Sequence, residues 1–284
     1  LIRGPARLDR RITDPARHDA RLAVLWVGHA TVLVQIDDRF VLTDPVFTDT
    51  VGQLSPRLVE PGLSPEALPR IDAAVVSHMH FDHLSLGTLD RIESRVSRLY
   101  VPRGGLVYVP RYAFARDEVE PWHTVDLDGL RITAVPVRHE GFRYGVDAEW
   151  MHTSYTGWVI EHRGLRVFFA GDTAYDPALF VRIRERIGPI DLALLPIGPV
   201  EPRSFTERSH IDGDEALQVL EDVGAQVMIP IHYDTFAHGM DPPGGALARL
   251  REAMARRGVE PSRVRVLALG EQAVIVPRRA EAAP

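Results

Sequence analysis

Runs of apolar residues broken by Gly, Asp or Pro recur from residue 23 almost to the end of the chain, interleaved with stretches of helical period. Residues 23–36 (AVLWVGHATVLVQI) read as two strands about a Gly28-His29 turn. Asp37-Asp38 then turns the chain into a third strand over 39–43, which stops at Asp44-Pro45. Residues 46–70 form a long Pro-rich loop, uncommon in a compact domain unless it has a function. Further strands are predicted over 71–77, 99–101, 124–127, 130–137, on both sides of Arg163-Gly164, and over 191–196, 226–231, 264–269 and 273–276. Helices are predicted over 86–96, 177–187, 212–223 and 245–257. Pro177 suits a first helical turn, Asp212-Gly213-Asp214-Glu215 carries a capping signal, and Gly224 and Gly258 are stops. Residues 103–123 are a mixed stretch, and 140–154 form a second long loop. No linker-like break interrupts this order, so the pattern predicts one α/β domain over 23–277. An extended arm, residues 1–22, precedes it, and a disordered tail, 278–284, follows.

Composition narrows the function more than the fold. The chain has 284 residues, 45% of them hydrophobic and 25% charged, which is ample for a core. Its formal net charge of -6 argues against a general nucleic-acid binder. Every basic side chain is Arg, which carries no functional weight here. The absence of cysteine excludes disulfides, thiolate metal sites and cysteine nucleophiles, so any metal must be held by His, Asp or Glu. No apolar run reaches membrane-spanning length. A cytoplasmic location is the expectation, with an upstream signal or anchor left open because the sequence starts at Leu1 rather than Met.

The chemistry gathers at strand ends. The strand over 71–77 runs straight into His78-Met79-His80-Phe81-Asp82-His83, four potential ligands in six positions. Such a cluster is costly to desolvate without a cation to share. Three later strands also stop on ligand-type residues: His139 after LRITAVPVR, Asp172 after LRVFFAG and His232 after AQVMIPI. Strand ends are where α/β sheets place ligands, so all seven side chains are expected to converge. Five imidazoles and two carboxylates suit a pair of borderline divalent transition metals, Zn2+ first, with Mn2+ and Fe2+ also fitting. Asp172 is the natural bridge, and two adjacent cations hold a shared hydroxide that attacks a polarised substrate.

The order H-x-H-x-D-H, later His, later G-D-T, later His resembles that of the metallo-β-lactamase-fold hydrolases. The resemblance implies a four-layer αββα sandwich with a dinuclear site at one edge. His78, His80 and His139 would bind one metal, Asp82, His83 and His232 the other, and Asp172 would bridge. Asp44, in Leu42-Thr43-Asp44-Pro45, matches an early Asp that orients a ligand histidine. Residues 26–34 (WVGHATVLV), 168–175 (FFAGDTAY), 196–203 (PIGPVEPR) and 231–236 (IHYDTF) are similar to the N-acyl-phosphatidylethanolamine phospholipase D group, and more distantly to the ascorbate-6-phosphate lactonases. The sequence departs from the phospholipase pattern after Glu201-Pro202-Arg203, where Ser204-Phe205-Thr206 replaces Trp-Phe-Met, and at Tyr233-Asp234, where Trp-Gly is usual.

The resemblance implies hydrolysis of a phosphodiester, as in a phospholipase D-like phosphodiesterase. A lactonase or esterase of the same fold is the alternative, and a metal-binding protein without turnover a third reading. The substrate is expected to be small or lipid-like, and contact with a membrane surface has no support from the pattern. His210 matches a histidine near the catalytic centre of that branch and is expected to give a proton or hydrogen bond to the substrate. Asp82 is expected to manage protons besides binding metal. His29, Tyr144, Trp150, Arg203 and Tyr233 are candidates for the pocket wall. The aromatics Phe47, Trp122, Phe142, Tyr144, Trp150 and Tyr155 are candidates for an apolar groove, and Arg103, Arg111, Arg143 and Arg203 for phosphate recognition. The remaining histidines, His18, His123, His152, His162 and His238, are assigned to the surface or the rim.

Overall fold

Two β-sheets carry the chain, and the direction of their strands decides where its functional side chains emerge. The computed structural model describes residues 4–8, 12–52, 55–237 and 239–278. The first sheet opens with the hairpin strands β1 (Ala20–Gly28), β2 (Thr31–Ile36) and β3 (Arg39–Thr43). A small ribbon, β4 (Thr50–Val51) and β5 (Ser55–Pro56), stands apart in the following loop. The sheet continues through β6 (Ala73–Val75), the helix α1 (Leu86–Ile92), β7 (Arg98–Pro102) and β8 (Ala115–Val119). The second sheet holds β9 (Thr124–Leu127), β10 (Leu130–Val135), β11 (Gly157–His162) and β12 (Leu165–Phe169), with a short helix α2 (Ala148–Met151) in the loop after β10. It is completed by α3 (Pro177–Ile187), β13 (Ile190–Pro196), α4 (Arg203–Thr206), α5 (Gly213–Asp222) and β14 (Ala225–Ile231). Helix α6 (Gly245–Arg257) and β15 (Gln272–Pro277), which joins the first sheet beside β1, end the fold.

The strand orders are β15-β1-β2-β3-β6-β7-β8 and β14-β13-β12-β11-β10-β9. Period-2 alternation assigns each face. Leu22, Val24 and Trp26 of β1 join the core between the sheets, together with Ile132, Trp158 and Val167 of the second sheet. Leu25 and Val27 point the other way and pack with Leu89 and Ile92 of α1. Phe180 and Ile183 of α3, Leu217 and Leu220 of α5 and Leu250 of α6 cover the second sheet. The result is the four-layer αββα sandwich. At one end the sheets are stitched together: Trp158 Nε1 donates to Val76 O at 3.0 Å and Thr156 N to Ser77 O at 2.8 Å.

Strand direction follows from the pairing. β1, β3 and β6 all run the same way, because β1–β2 and β2–β3 are antiparallel and β3–β6 is parallel. By the same count β10, β12, β13 and β14 run together in the second sheet. The segments after β1, β3, β6, β10, β12 and β14 carry His29, Asp44, His78, His139, Asp172 and His232. One edge of the sandwich thus receives every candidate donor.

Several expected elements are corrected. Residues 264–269 do not form a strand: Val264 makes one bridge to Met228, and the segment then leaves the sheet, although Val264 and Leu267 stay buried. The helix expected over 86–96 stops at Ile92 and tightens into a 3-10 turn, Glu93–Arg95. Strand β8 was hidden in the mixed stretch because its ARDEV sequence is mostly polar and lies at a sheet edge. The strand expected over 130–137 ends at Val135, since Pro136 has no N–H for the ladder. The capping signal at Asp212 is a complete box, with Asp212 accepting from Asp214 N and Glu215 N and the Glu215 side chain accepting from Asp212 N. β1 begins at Ala20, inside the expected arm; Arg278 bonds back to Asp19 O, and the rest of the expected tail lies outside the described residues. Among the described residues no helix is long and apolar enough to cross a membrane.

Candidate metal centre

The seven donors inferred from the sequence meet in two adjoining sets. His78 Nε2 lies 2.8 Å from His80 Nδ1, and one ring nitrogen each of His78, His80 and His139 lie within 4.8 Å of one another. Beside them, His83 Nε2 is 3.2 Å from His232 Nε2, and Asp82 Oδ2 is 3.4 and 3.7 Å from these two atoms. Asp172 stands between the sets. Its Oδ2 is 3.2 Å from His83 Nε2 and 4.0 Å from His139 Nε2, and its Oδ1 is 3.1 Å from His232 Nε2. His210 joins from the segment before α5, its Nδ1 3.6 Å from Asp172 Oδ2.

What orients these rings is a layer of acceptors behind them. His83 Nδ1 meets Asp44 Oδ2 at 2.5 Å, and both groups are fully buried. Asp44 also accepts from Ser77 N and Ser77 Oγ, each at 2.6 Å, and Ser77 Oγ lies 2.9 Å from His78 Nδ1. His139 Nδ1 faces Ser209 O and His232 Nδ1 faces Gly198 O, each at 2.8 Å. With each Nδ1–H given to an acceptor, His78, His83, His139 and His232 turn Nε2 to the centre, the nitrogen left for a metal to take. His139 Nε2 and His210 Nδ1 are buried there without a hydrogen-bond partner. Imidazole nitrogens left unpaired at the focus of a His/Asp cluster fit a cation and little else.

Electrostatics agrees with the geometry. Burial, with neighbouring imidazoles, pushes His78 well below the ordinary histidine range; burial likewise lowers His80, and takes His139 and His29 well down. Burial also lowers His83 and His232, but Asp172 and Asp82 outweigh it, drawing His83 well up and His232 to about 9. The same imidazoles hold Asp82 and Asp172 well below the carboxylate range against their burial. The positive charge on His83 and His232 is the charge that a bound cation would replace. His210 is pushed down to about 4 by burial, so it enters neutral solution as an uncharged ring, a hydrogen-bonding group rather than an acid.

The pocket candidates divide. Tyr233 is buried and stacks on Trp26 with 4.9 Å between ring centroids; with His29, His232, Leu58 and Phe236 it lines a cavity of about 250 Å³. A second cavity, about 340 Å³, reaches His210 past Pro199, Phe205 and Met240. Tyr144 is exposed, 5.6 Å from the Phe81 ring, and Phe142 meets the His80 ring edge-on at 5.1 Å. Trp150 is exposed over a separate cavity with Arg103 and Ser154 that touches none of the donors. Phe47 is core, Tyr155 packs against the core, and Trp122 carries the Arg186 guanidinium on its ring.

The guanidinium of Arg203 is held by Glu215 and by the carbonyl of His210, so it anchors the His210 segment to α5. Arg143 is buried and donates to Met79 O at 2.8 Å and Leu84 O at 2.9 Å, clasping the ligand-bearing turn from both sides. Arg103 lies exposed near Glu120, and Arg111 is exposed. His162 is buried, its Nδ1 facing Gly129 O, rather than superficial; His238 lies outside the described residues. Sequence reading missed Ser77 and Arg143 as supports, and the one available signal was that β3 and β6, ending in Asp44 and Ser77, are neighbours in a parallel pair.

A family model described as "Beta-lactamase superfamily domain" matches residues 39–233. The chain is 34% identical over 242 residues to the N-acyl-phosphatidylethanolamine-hydrolyzing phospholipase D 1 of Caenorhabditis elegans, covering 80% of this chain and 67% of that protein. Among solved structures, the metallo hydrolase Igni18 of Ignicoccus hospitalis superposes with TM-score 0.65 at 23% identity, covering 89% of this chain and 97% of that one. CmlA, described as a diiron beta-hydroxylase from Streptomyces venezuelae, superposes with TM-score 0.64 at 19% identity, covering 89% and 54%. Sequence, fold and a His/Asp cluster suited to metal ions agree: the chain belongs to the beta-lactamase superfamily, as one of its metal-dependent hydrolases.

Proposed function

We propose that this chain is a phosphodiesterase of phospholipase D-like type, working with two divalent transition ions. The observation that carries the reading is Asp172, whose carboxylate lies against both donor sets: His83 and His232 of one, and His139 of the other. His78, His80 and His139 would hold one ion, Asp82, His83 and His232 the other, with Asp172 shared. Zinc comes first for this imidazole-rich, thiol-free set. Iron is the alternative, since a protein of the same fold is described as diiron. When bound, such a pair supplies Lewis-acid polarisation and a nucleophilic water at neutral pH. The similarity to the Caenorhabditis elegans phospholipase supports a phosphodiester as the bond attacked.

The chain's own side chains do the rest. Asp44, Ser77, Ser209 O and Gly198 O fix the ring tautomers, so the donors need no rearrangement. His210, uncharged and half-buried beside Asp172, offers an N–H to a substrate oxygen. The two cavities flanking His232 and His210 would receive the two arms of a small or lipid-like diester. The test compares hydrolysis of bis-p-nitrophenyl phosphate with that of a lactone panel by the metal-loaded protein. Turnover of the diester is expected; preference for lactones would replace the reading with a lactonase, and inertness towards both would point to metal binding without turnover.

A further inference from the structure

His29 is outside the seven inferred donors, yet its ring lies within the centre. Its Nε2 is 2.9 Å from Asp82 Oδ2, and its ring centroid is 3.8 Å from that of His232 and 5.2 Å from that of His83. One donor atom each from His29, Asp82, His83 and His232 fall within 4.8 Å of one another. The other neighbours of Asp82 Oδ2 include His83 Nε2 at 3.4 Å and His232 Nε2 at 3.7 Å, both atoms that a cation would claim.

The backbone is shaped to put the ring there. His29 has φ 55°, in the left-handed region that Gly enters freely and that Asn, Asp and His enter more often than other residues. Gly28 before it has φ 131°, and a Cβ there would meet the Leu269 side chain at 3.0 Å and the Thr235 methyl at 3.1 Å. Thr235 Oγ1 accepts from His29 N at 2.7 Å, while His29 O accepts from Trp26 Nε1 at 2.9 Å and from His232 N at 3.1 Å. The Phe236 ring stands edge-on to the imidazole at 5.2 Å, and the Arg57 guanidinium backs that ring at 4.4 Å.

We propose that His29 is a positioning residue for Asp82, donating Nε2–H to Oδ2 and setting that carboxylate for the second cation. The inference rests on the two-ion reading above. Its removal should weaken one ion and spare the other, because His29 touches the Asp82/His83/His232 set and not the His78/His80/His139 set.

The test is chelator competition for each of the two Zn2+ ions in wild type, His29→Phe and His29→Gln. His29→Phe keeps a flat ring against His232 and loses the donor; the second ion should bind about 10- to 100-fold more weakly, with the first unchanged. His29→Gln restores an amide donor and should recover most of that loss. Should His29→Phe fail to fold by circular dichroism, His29→Ala takes its place in the comparison with His29→Gln. Equal affinities in all variants, or equal loss in the donor-bearing and donor-free ones, would overturn the proposal. Fully Co2+-loaded wild type and His29→Gln should share the same visible bands; a shift would overturn it in favour of direct ligation by His29. Wild type binding fewer than two ions would instead sink the two-ion reading itself.

Discussion

The centre and the rim of this edge are built on different principles. At the centre the donors follow strand ends, lie buried or half-buried, and are held through a far nitrogen or through their turn by a second group: Asp44, Ser209 O, Gly198 O, Arg143. At the rim, Tyr144 and Met240 stand largely exposed on loops, and Phe205 on the short helix α4. The contrast locates the two halves of function. On the function proposed above, bond-breaking chemistry would be set by strand ends that cannot move without unmaking the sheets, and substrate choice by surface segments that can change freely.

Substitutions should separate the two regions. Asp172→Ala should have the largest effect, reducing hydrolysis to background with loss of one or both ions, measured by turnover and metal analysis together; full activity would mean the centre is misplaced. Acidification should come next. The donors bind as neutral rings, and the raised His83 and His232, the latter at about 9, are the first to take up protons, so metal should be released progressively as pH falls below about 9. Dialysis against a chelator at stepped pH checks it; release on raising the pH would contradict the assignment. Asp44→Ala strips His83 Nδ1 and Ser77 of their shared acceptor and should cost about 10- to 100-fold in metal affinity or activity. Arg143→Ala leaves the Met79 and Leu84 carbonyls without that donor, which should cost about 1–3 kcal/mol for each one stranded, read from urea unfolding. Tyr144→Ala and Phe205→Ala should be the mildest, moving KM while leaving metal content and stability alone. An equal loss of metal in these rim variants would erase the distinction between centre and rim.

The same contrast explains what the sequence disclosed. Each donor follows a run of apolar residues, so His78, His139, Asp172 and His232 could be read as strand ends before any fold was known. Their convergence then needed only common strand direction, which parallel pairing supplies. Supports that act across space left no such trace. Arg143 was expected to meet phosphate because it is an Arg in a loop, but its burial against two carbonyls commits it to the ligand turn. Arg203, expected in the same role, has its guanidinium held by Glu215 twelve residues ahead. Residues 264–269 have the apolar content of a strand, yet only Val264 finds a bridge; burial sets that pattern, whichever hydrogen bonds follow. Rim positions carry no periodicity at all, so Tyr144 and Trp150 could be named but not placed.

The central claim is that Asp172 joins two complete donor sets. Element-specific metal analysis of protein purified without added metal tests it most directly. Close to two transition ions per chain are expected, falling to one or none in Asp172→Ala; a wild-type protein holding a single ion, or none after offering zinc, would contradict it.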